Sequence, residues 1–224
     1  PYTVRQGYIE DARAAVATLA RDPKIDPRRI FLAGHSMGGH LAPRIASHDP
    51  RIAGIAILDG QSRRLFPVME QQLQYMAALA PPSQRPALLR DVALLRSDAR
   101  RVADAHLAPS ALVLVPPGVK VDAAYFQDLR DHSPTAIAAR LKIPILVIQG
   151  SRDYQVRMAD FRGWQKALRG RANARCILIP GTNHLLMPGP PGAKGLSTPA
   201  DYARPNHVSP RIIEVLAGWV HSHR

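Results

Sequence analysis

Three residues far apart in the chain have the types and the surroundings needed for nucleophilic catalysis. Ser36 lies in Gly34-His35-Ser36-Met37-Gly38-Gly39, a G-x-S-x-G pattern that sets a serine on a sharp strand-to-helix turn. Such a turn strains the serine backbone and projects its hydroxyl. Glycines at 34 and 38 are expected to remove a collision between side chains two residues either side. The helix that follows would aim its N-terminus and its dipole at the site, and the Met37 backbone N–H would become an oxyanion donor. A serine hydroxyl is a weak nucleophile until a base takes its proton. The base needed is a histidine held by a carboxylate. Asp153, in Gln149-Gly150-Ser151-Arg152-Asp153, and His184, in Pro180-Gly181-Thr182-Asn183-His184, each follow an apolar run. Both fall in loops at the C-terminal ends of strands, where open α/β sheets gather their active sites.

Each assignment has a plainer competitor. Asp153 could cap a turn, a common use of Asp. Asp160 is the fallback acid, but it falls inside the next helix and points elsewhere. His35 and His40 flank Ser36 too closely to reach back over it as a held base. His132, His207, His221 and His223 sit in helices, termini or polar loops. His207 is the chief rival to His184, because the long loop before it could fold over the site. The Ser36 pattern itself could be a glycine-rich structural turn.

The elements that must position these residues alternate between strand and helix. Residues 6–20 read as a helix, with Tyr8, Ala12, Ala15, Val16 and Leu19 on one face. Asp22-Pro23 and Asp26-Pro27 then mark a turn. Residues 29–33 form a short apolar strand leading into Ser36, and residues 37–48 a helix rich in small residues leading out. Strands are expected at 52–58, 143–149 and 175–179, with a helix at 158–168. A Pro/Gly-rich loop over 189–205 precedes a closing helix at 209–221, with Ser209 as N-cap and Pro210 at its first position. Residues 61–132 differ in character. They carry helical patterns at 68–79 and 85–105, breaks at Pro81-Pro82 and Pro116-Pro117-Gly118, and no long strand. The expected fold class is therefore α/β: a mostly parallel sheet with helices on both faces. The core spans residues 1–60 and 133–224, and residues 61–132 form a helical lid or cap insertion.

Composition narrows the classes of function. The chain has 224 residues, 46% of them hydrophobic and 21% charged, as expected of one globular domain or a large piece of one. Thirty Lys and Arg against 17 Asp and Glu give a formal net charge of +13. The arginines are nevertheless dispersed, and aromatic residues make up only 5%, too few for stacking on bases. No nucleic-acid partner is expected. No apolar stretch reaches the roughly 18 residues that span a bilayer, so no membrane span is expected. The single Cys176 cannot form an internal disulfide and reads as a buried strand thiol.

The chain resembles the α/β-hydrolase superfamily, and within it the bacterial dienelactone-hydrolase-like and acyl-esterase branch. The resemblance rests on Phe31 to Gly39, on Gln149-Gly150-Ser151-Arg152-Asp153-Tyr154-Gln155-Val156, and on Asn183-His184-Leu185. Ser197 to Tyr202, with His207-Val208-Ser209, adds a weaker match. It implies Ser36 as nucleophile, His184 as general base and then acid, and Asp153 as its orienter, with no cofactor and no metal. The reaction implied is cleavage of a small-molecule carboxylic ester through an acyl-enzyme, with residues 61–132 shaping the pocket. Proteins of this fold carry several strands before the nucleophile, and a loop there supplies a second oxyanion donor. Only 35 residues precede Ser36 here. The expectation is of a C-terminal portion of a longer protein or a shortened variant, with the sheet edge beside the first strand open to self-association. A peptidase or acyltransferase would use the same three residues. A non-catalytic binding domain would keep the fold without a complete site. Haloalkane dehalogenation would need a carboxylate where Ser36 stands.

Overall fold

The computed structural model describes residues 1–115 and 118–223. Its backbone separates into two compact units. One contains Pro1–Tyr8 and Arg63–Ser133; the other contains Ile9–Ser62 and Pro134–Arg224.

The second unit is built on a four-stranded parallel sheet. Its strands are β1 (Ile30–His35), β2 (Ile52–Leu58), β5 (Ile145–Gly150) and β6 (Ala174–Ile179), in the order β1-β2-β5-β6. Parallel neighbours need crossover connections, and helices supply them. α1 (Glu10–Leu19) precedes β1, α2 (Met37–Ser47) joins β1 to β2, α6 (Pro134–Arg140) precedes β5, and α7 (Met158–Ala167) joins β5 to β6. α8 (Pro210–Ser222) closes the chain after a 3-10 turn at Pro199–Ala203. The two central strands are the most apolar and the most buried, as a sheet covered on both faces requires.

Alternation along the strands sorts the two faces. Ala56, Leu58, Leu146, Ile148 and Ile179 pack with Ile212 and Trp219 of α8, so that helix covers one face. Ile57 points to the other face, where the backbone of α2 passes beside it at Gly39. α7 is anchored by Trp164, which is fully buried and donates its indole N–H to the Gly60 carbonyl at 2.7 Å. Replacing Trp164 by phenylalanine leaves that carbonyl without its donor. The expected loss is about 1–3 kcal/mol, read as a lower midpoint in denaturant unfolding.

The first unit holds α3 (Leu65–Leu79), α4 (Arg85–Ala103) and α5 (Ala123–Arg130), with an antiparallel hairpin of β3 (Leu112–Val115) and β4 (Val119–Asp122). The hairpin adds two short strands to the helical insertion, without a long strand, that was expected of this stretch. Each strand is four residues long, too short for a period-two pattern to stand out from neighbouring helical patterns. Val113, beside Val102, Ala123 and Phe126, is what the hairpin buries. Gly118 enters β4 with φ +96°; the Pro116-Pro117 part of the expected break lies outside the described residues. At the chain start, the Tyr2 N–H donates to Asp122 and the Arg5 N–H to Asp128.

Cys176 departs from its expected burial. It is half-buried, because β6 is an edge strand and covered on one side only. What burial it has pushes its thiol up to about 11, away from thiolate chemistry. Ser209 stands at the N-terminus of α8 with Pro210 following, as expected, but its side chain makes no capping hydrogen bond.

Candidate active site

β1 ends at His35, and α2 begins at Met37. Ser36 is the single residue between them. It takes φ +53°, ψ −116°, a region that non-glycine residues enter only when their surroundings force it. The force comes from both sides. The Ser36 N–H donates to the Leu58 carbonyl at 2.9 Å, holding it to β2, and the Ser36 carbonyl accepts the His40 N–H at 3.0 Å, starting the helix. The turn is tight enough that a Cβ on Gly34 would overlap the Gly38 carbonyl. A Cβ on Gly39 would come within 2.9 Å of the Gly34 oxygen and of the Gly60 Cα. A Cβ on Gly38 meets nothing within 4 Å. The crowding expected of Gly34 and Gly38 thus falls on Gly34 and Gly39, because α2 turns its Gly39 face toward β1 and Gly60. Met37 is the first residue of α2, so its N–H belongs to the helix's open N-terminus.

The structure brings Ser36, His184 and Asp153 together. His184 Nε2 lies 3.0 Å from Ser36 Oγ, and His184 Nδ1 lies 2.8 Å from Asp153 Oδ2. A carboxylate only accepts, so Nδ1 carries the proton and Nε2 turns its lone pair to the serine hydroxyl. Both partners are deeply buried. Asp153 is held from several directions. Its Oδ1 accepts the Gln155 N–H at 2.7 Å and the Val156 N–H at 3.0 Å, and Gln149 Nε2 approaches Oδ2 at 3.3 Å. The loop after β6 is pinned by Asn183 Oδ1, which accepts the N–H groups of Leu185 and Met187. The other candidates stand elsewhere. Asp160 is buried in α7 and accepts the Ser62 N–H. His207 is exposed, and its N–H bonds to Asn206. His40 Nδ1 donates to the Gln61 carbonyl at 3.0 Å, and burial lowers its pKa.

Three further features surround the reacting residues, and only the second, around Ser197 to Tyr202, had carried any part of the resemblance. His35 donates Nε2–H to the His184 carbonyl at 2.7 Å, and its ring lies 4.8 Å from the His184 ring. Part of the His35 ring is open to solvent; desolvation of the rest lowers its pKa. The segment from Gly195 to Tyr202 docks on the Asp153 loop. Arg152 donates to the Gly195 carbonyl and to Asp201, Gln155 reaches the Tyr202 hydroxyl, and the Tyr154 and Tyr202 rings stack at 5.8 Å. Finally, Asp59 lies at the end of β2. One of its carboxylate oxygens, a His35 ring nitrogen and a His184 ring nitrogen all lie within 4.8 Å of one another. Both His184 nitrogens already face partners, Asp153 and Ser36, so the cluster does not read as a cation cage.

A serine on a strand–helix elbow, faced by a carboxylate-held histidine from later loops of a parallel sheet, defines the class of fold. The Alpha/beta hydrolase family model matches residues 1–193, and the chain belongs to that family. It is 36% identical over 218 residues to Esterase EstD of Thermotoga maritima, covering 97% of this chain and 48% of that protein. The chain therefore spans about half the length of that relative. Among solved structures it is similar to Est1E from Butyrivibrio proteoclasticus, with a TM-score of 0.55, 16% identity, and 82% of this chain and 63% of that chain covered. It is also similar to a dienelactone-hydrolase-like structure from Klebsiella pneumoniae, with a TM-score of 0.51, 15% identity, and 95% and 60% covered. No described helix is long and apolar enough to cross a membrane.

Proposed function

We propose that this chain carries the reacting residues of a serine hydrolase that cleaves a small-molecule carboxylic ester through an acyl-enzyme. The observation that carries the proposal is the hydrogen-bonded run Ser36 Oγ–His184 Nε2 at 3.0 Å and His184 Nδ1–Asp153 Oδ2 at 2.8 Å. The esterase relative at 36% identity supports the substrate class. His184 Nε2 takes the Ser36 proton as Oγ attacks the ester carbonyl. The Met37 N–H at the α2 N-terminus donates to the oxyanion that forms. Asp153 holds the tautomer and stabilises the imidazolium without taking the proton itself. His184 then protonates the departing alcohol, and in the second half it activates water, which releases the acid and restores Ser36. His35 holds the His184 loop by its carbonyl.

A fluorophosphonate probe tests this directly. It is expected to label the folded chain at Ser36 and to leave Ser36→Ala unlabelled. Well-folded wild-type protein that takes up no probe would return the chain to the reading of a binding domain.

A further inference from the structure

We propose that Asp59 is a further positioning residue of this site: it shares a single negative charge with Asp153 and keeps a proton while Asp153 is ionised opposite His184. This rests on the catalytic reading above for its role, though not for its charge state.

Asp59 is fully buried and has φ +45°, a left-handed conformation that Asp tolerates better than most residues but that still costs energy. Its backbone N–H donates to the Ile148 carbonyl at 2.9 Å, and its Oδ1 accepts the Gly150 N–H at 2.7 Å. The side chain thus adds a rung to the β2–β5 ladder beyond its last backbone pair. An asparagine would do that equally well. Oδ2 has no such use: it is buried and has no hydrogen-bond partner among the described residues. The titratable groups facing Asp59 are Asp153 from the loop after β5, His184 from the loop after β6, and His35 from the end of β1.

The two carboxyls are supplied unequally. Asp153 receives two backbone N–H groups, the His184 Nδ1–H and the Gln149 amide, all of which favour a charge there. Asp59 receives one N–H. Both buried carboxyls stand against His184, Asp59 senses the Asp153 charge, and of two such carboxyls the less solvated keeps the proton. Burial first, and the Asp153 charge second, hold Asp59 well above its ordinary 3.8. A neutral Asp59 spares His184 a second negative charge, while its exchangeable proton leaves a charge available should Asp153 lose its own.

The sign of the linkage makes this testable without turnover. The unfolded chain releases the Asp59 proton near pH 4, and the folded chain keeps it. Rising pH therefore favours unfolding of the wild type through this group, and Asp59→Asn removes that penalty. In denaturant titrations from pH 4 to 8, the ratio of wild-type to Asp59→Asn unfolding constants is expected to climb, approaching about tenfold per pH unit. In an Asp153→Asn background the climb is expected to level off at lower pH. A flat or falling ratio overturns the proposal, and so does a climb unchanged by Asp153→Asn. If Asp59→Asn does not fold, isotope-edited infrared spectroscopy of the wild type decides. A protonated carboxyl persisting at pH 7 is expected, and full ionisation of the aspartates overturns it. For the positioning role, fluorophosphonate labelling of Asp153→Asn is expected to slow by a further tenfold or more in the double variant, and equal rates overturn that role. Wild type that is never labelled would remove the serine-hydrolase reading and leave the unfolding ratios to judge the shared charge by themselves.

Discussion

Replacing His184 by alanine is expected to lower kcat for a short p-nitrophenyl ester by about 10⁶-fold while the protein remains folded. The size of the effect follows from what the imidazole is proposed to do in both halves of the reaction. In the first it is the acceptor 3.0 Å from Ser36 Oγ, and without it the nucleophile is an ordinary neutral hydroxyl. In the second it is the proposed base for water, so even a slowly formed acyl-enzyme would persist. The fold should survive because the His184 loop is held by other groups. Asn183 Oδ1 accepts two backbone N–H groups, and the His184 carbonyl still accepts from His35. His207→Ala is the control, and it should stay within about twofold of wild type, since that side chain is exposed and Ser36 Oγ already faces His184. Hydrolysis of the chromogenic ester, with a denaturation midpoint for each variant, checks both. Collapse of activity in His207→Ala with His184→Ala left active would reassign the base.

What made this site readable in advance was order along the chain. Each of the three residues follows an apolar run that becomes a strand of one parallel sheet, β1, β5 or β6. Parallel strands share a direction, so their C-terminal loops open on the same edge. Periodicity marked the buried strands well: β2 runs over the expected 52–58. It failed for the β3–β4 hairpin, whose strands span about two side-chain repeats each. It was also silent about Asp59 and His35. Neither belongs to a spaced pattern. Asp59 is an aspartate after an apolar strand, which is usually a turn residue, and only the burial of its second oxygen and the closeness of its carboxyl to His184 separate it from that reading. His35 occupies a variable position of the Ser36 pattern, and its hydrogen bond to the His184 carbonyl crosses 149 residues. Contacts of that span leave no trace in local sequence.

The same limit applies to the glycines around Ser36, which look equivalent in sequence and are not equivalent in space. Gly34→Ala is expected to destabilise the fold by about 3 kcal/mol and to abolish fluorophosphonate labelling. Its new methyl would overlap the Gly38 carbonyl, a backbone atom of the first turn of α2. Relief would require moving either β1 or the helix. Both are fixed, β1 by its ladder to β2 and the helix by the close approach of Gly39 to the Gly34 oxygen and the Gly60 Cα. Any such movement also releases the strained backbone that aims Ser36. Gly38→Ala should behave in the opposite way. Its methyl enters open space, and alanine in a helix is favoured over glycine by about 0.5–1 kcal/mol, so the unfolding midpoint should hold or rise. The residue that carries this methyl directly follows Met37, whose N–H is proposed to meet the oxyanion. A penalty for Gly38→Ala should therefore emerge in KM or in the labelling rate, where a ligand must share that space, and not in stability. Denaturant midpoints and labelling rates measured on the two variants separate the cases. A destabilised Gly38→Ala, or a Gly34→Ala that folds and labels normally, would mean that the elbow is looser than its geometry requires.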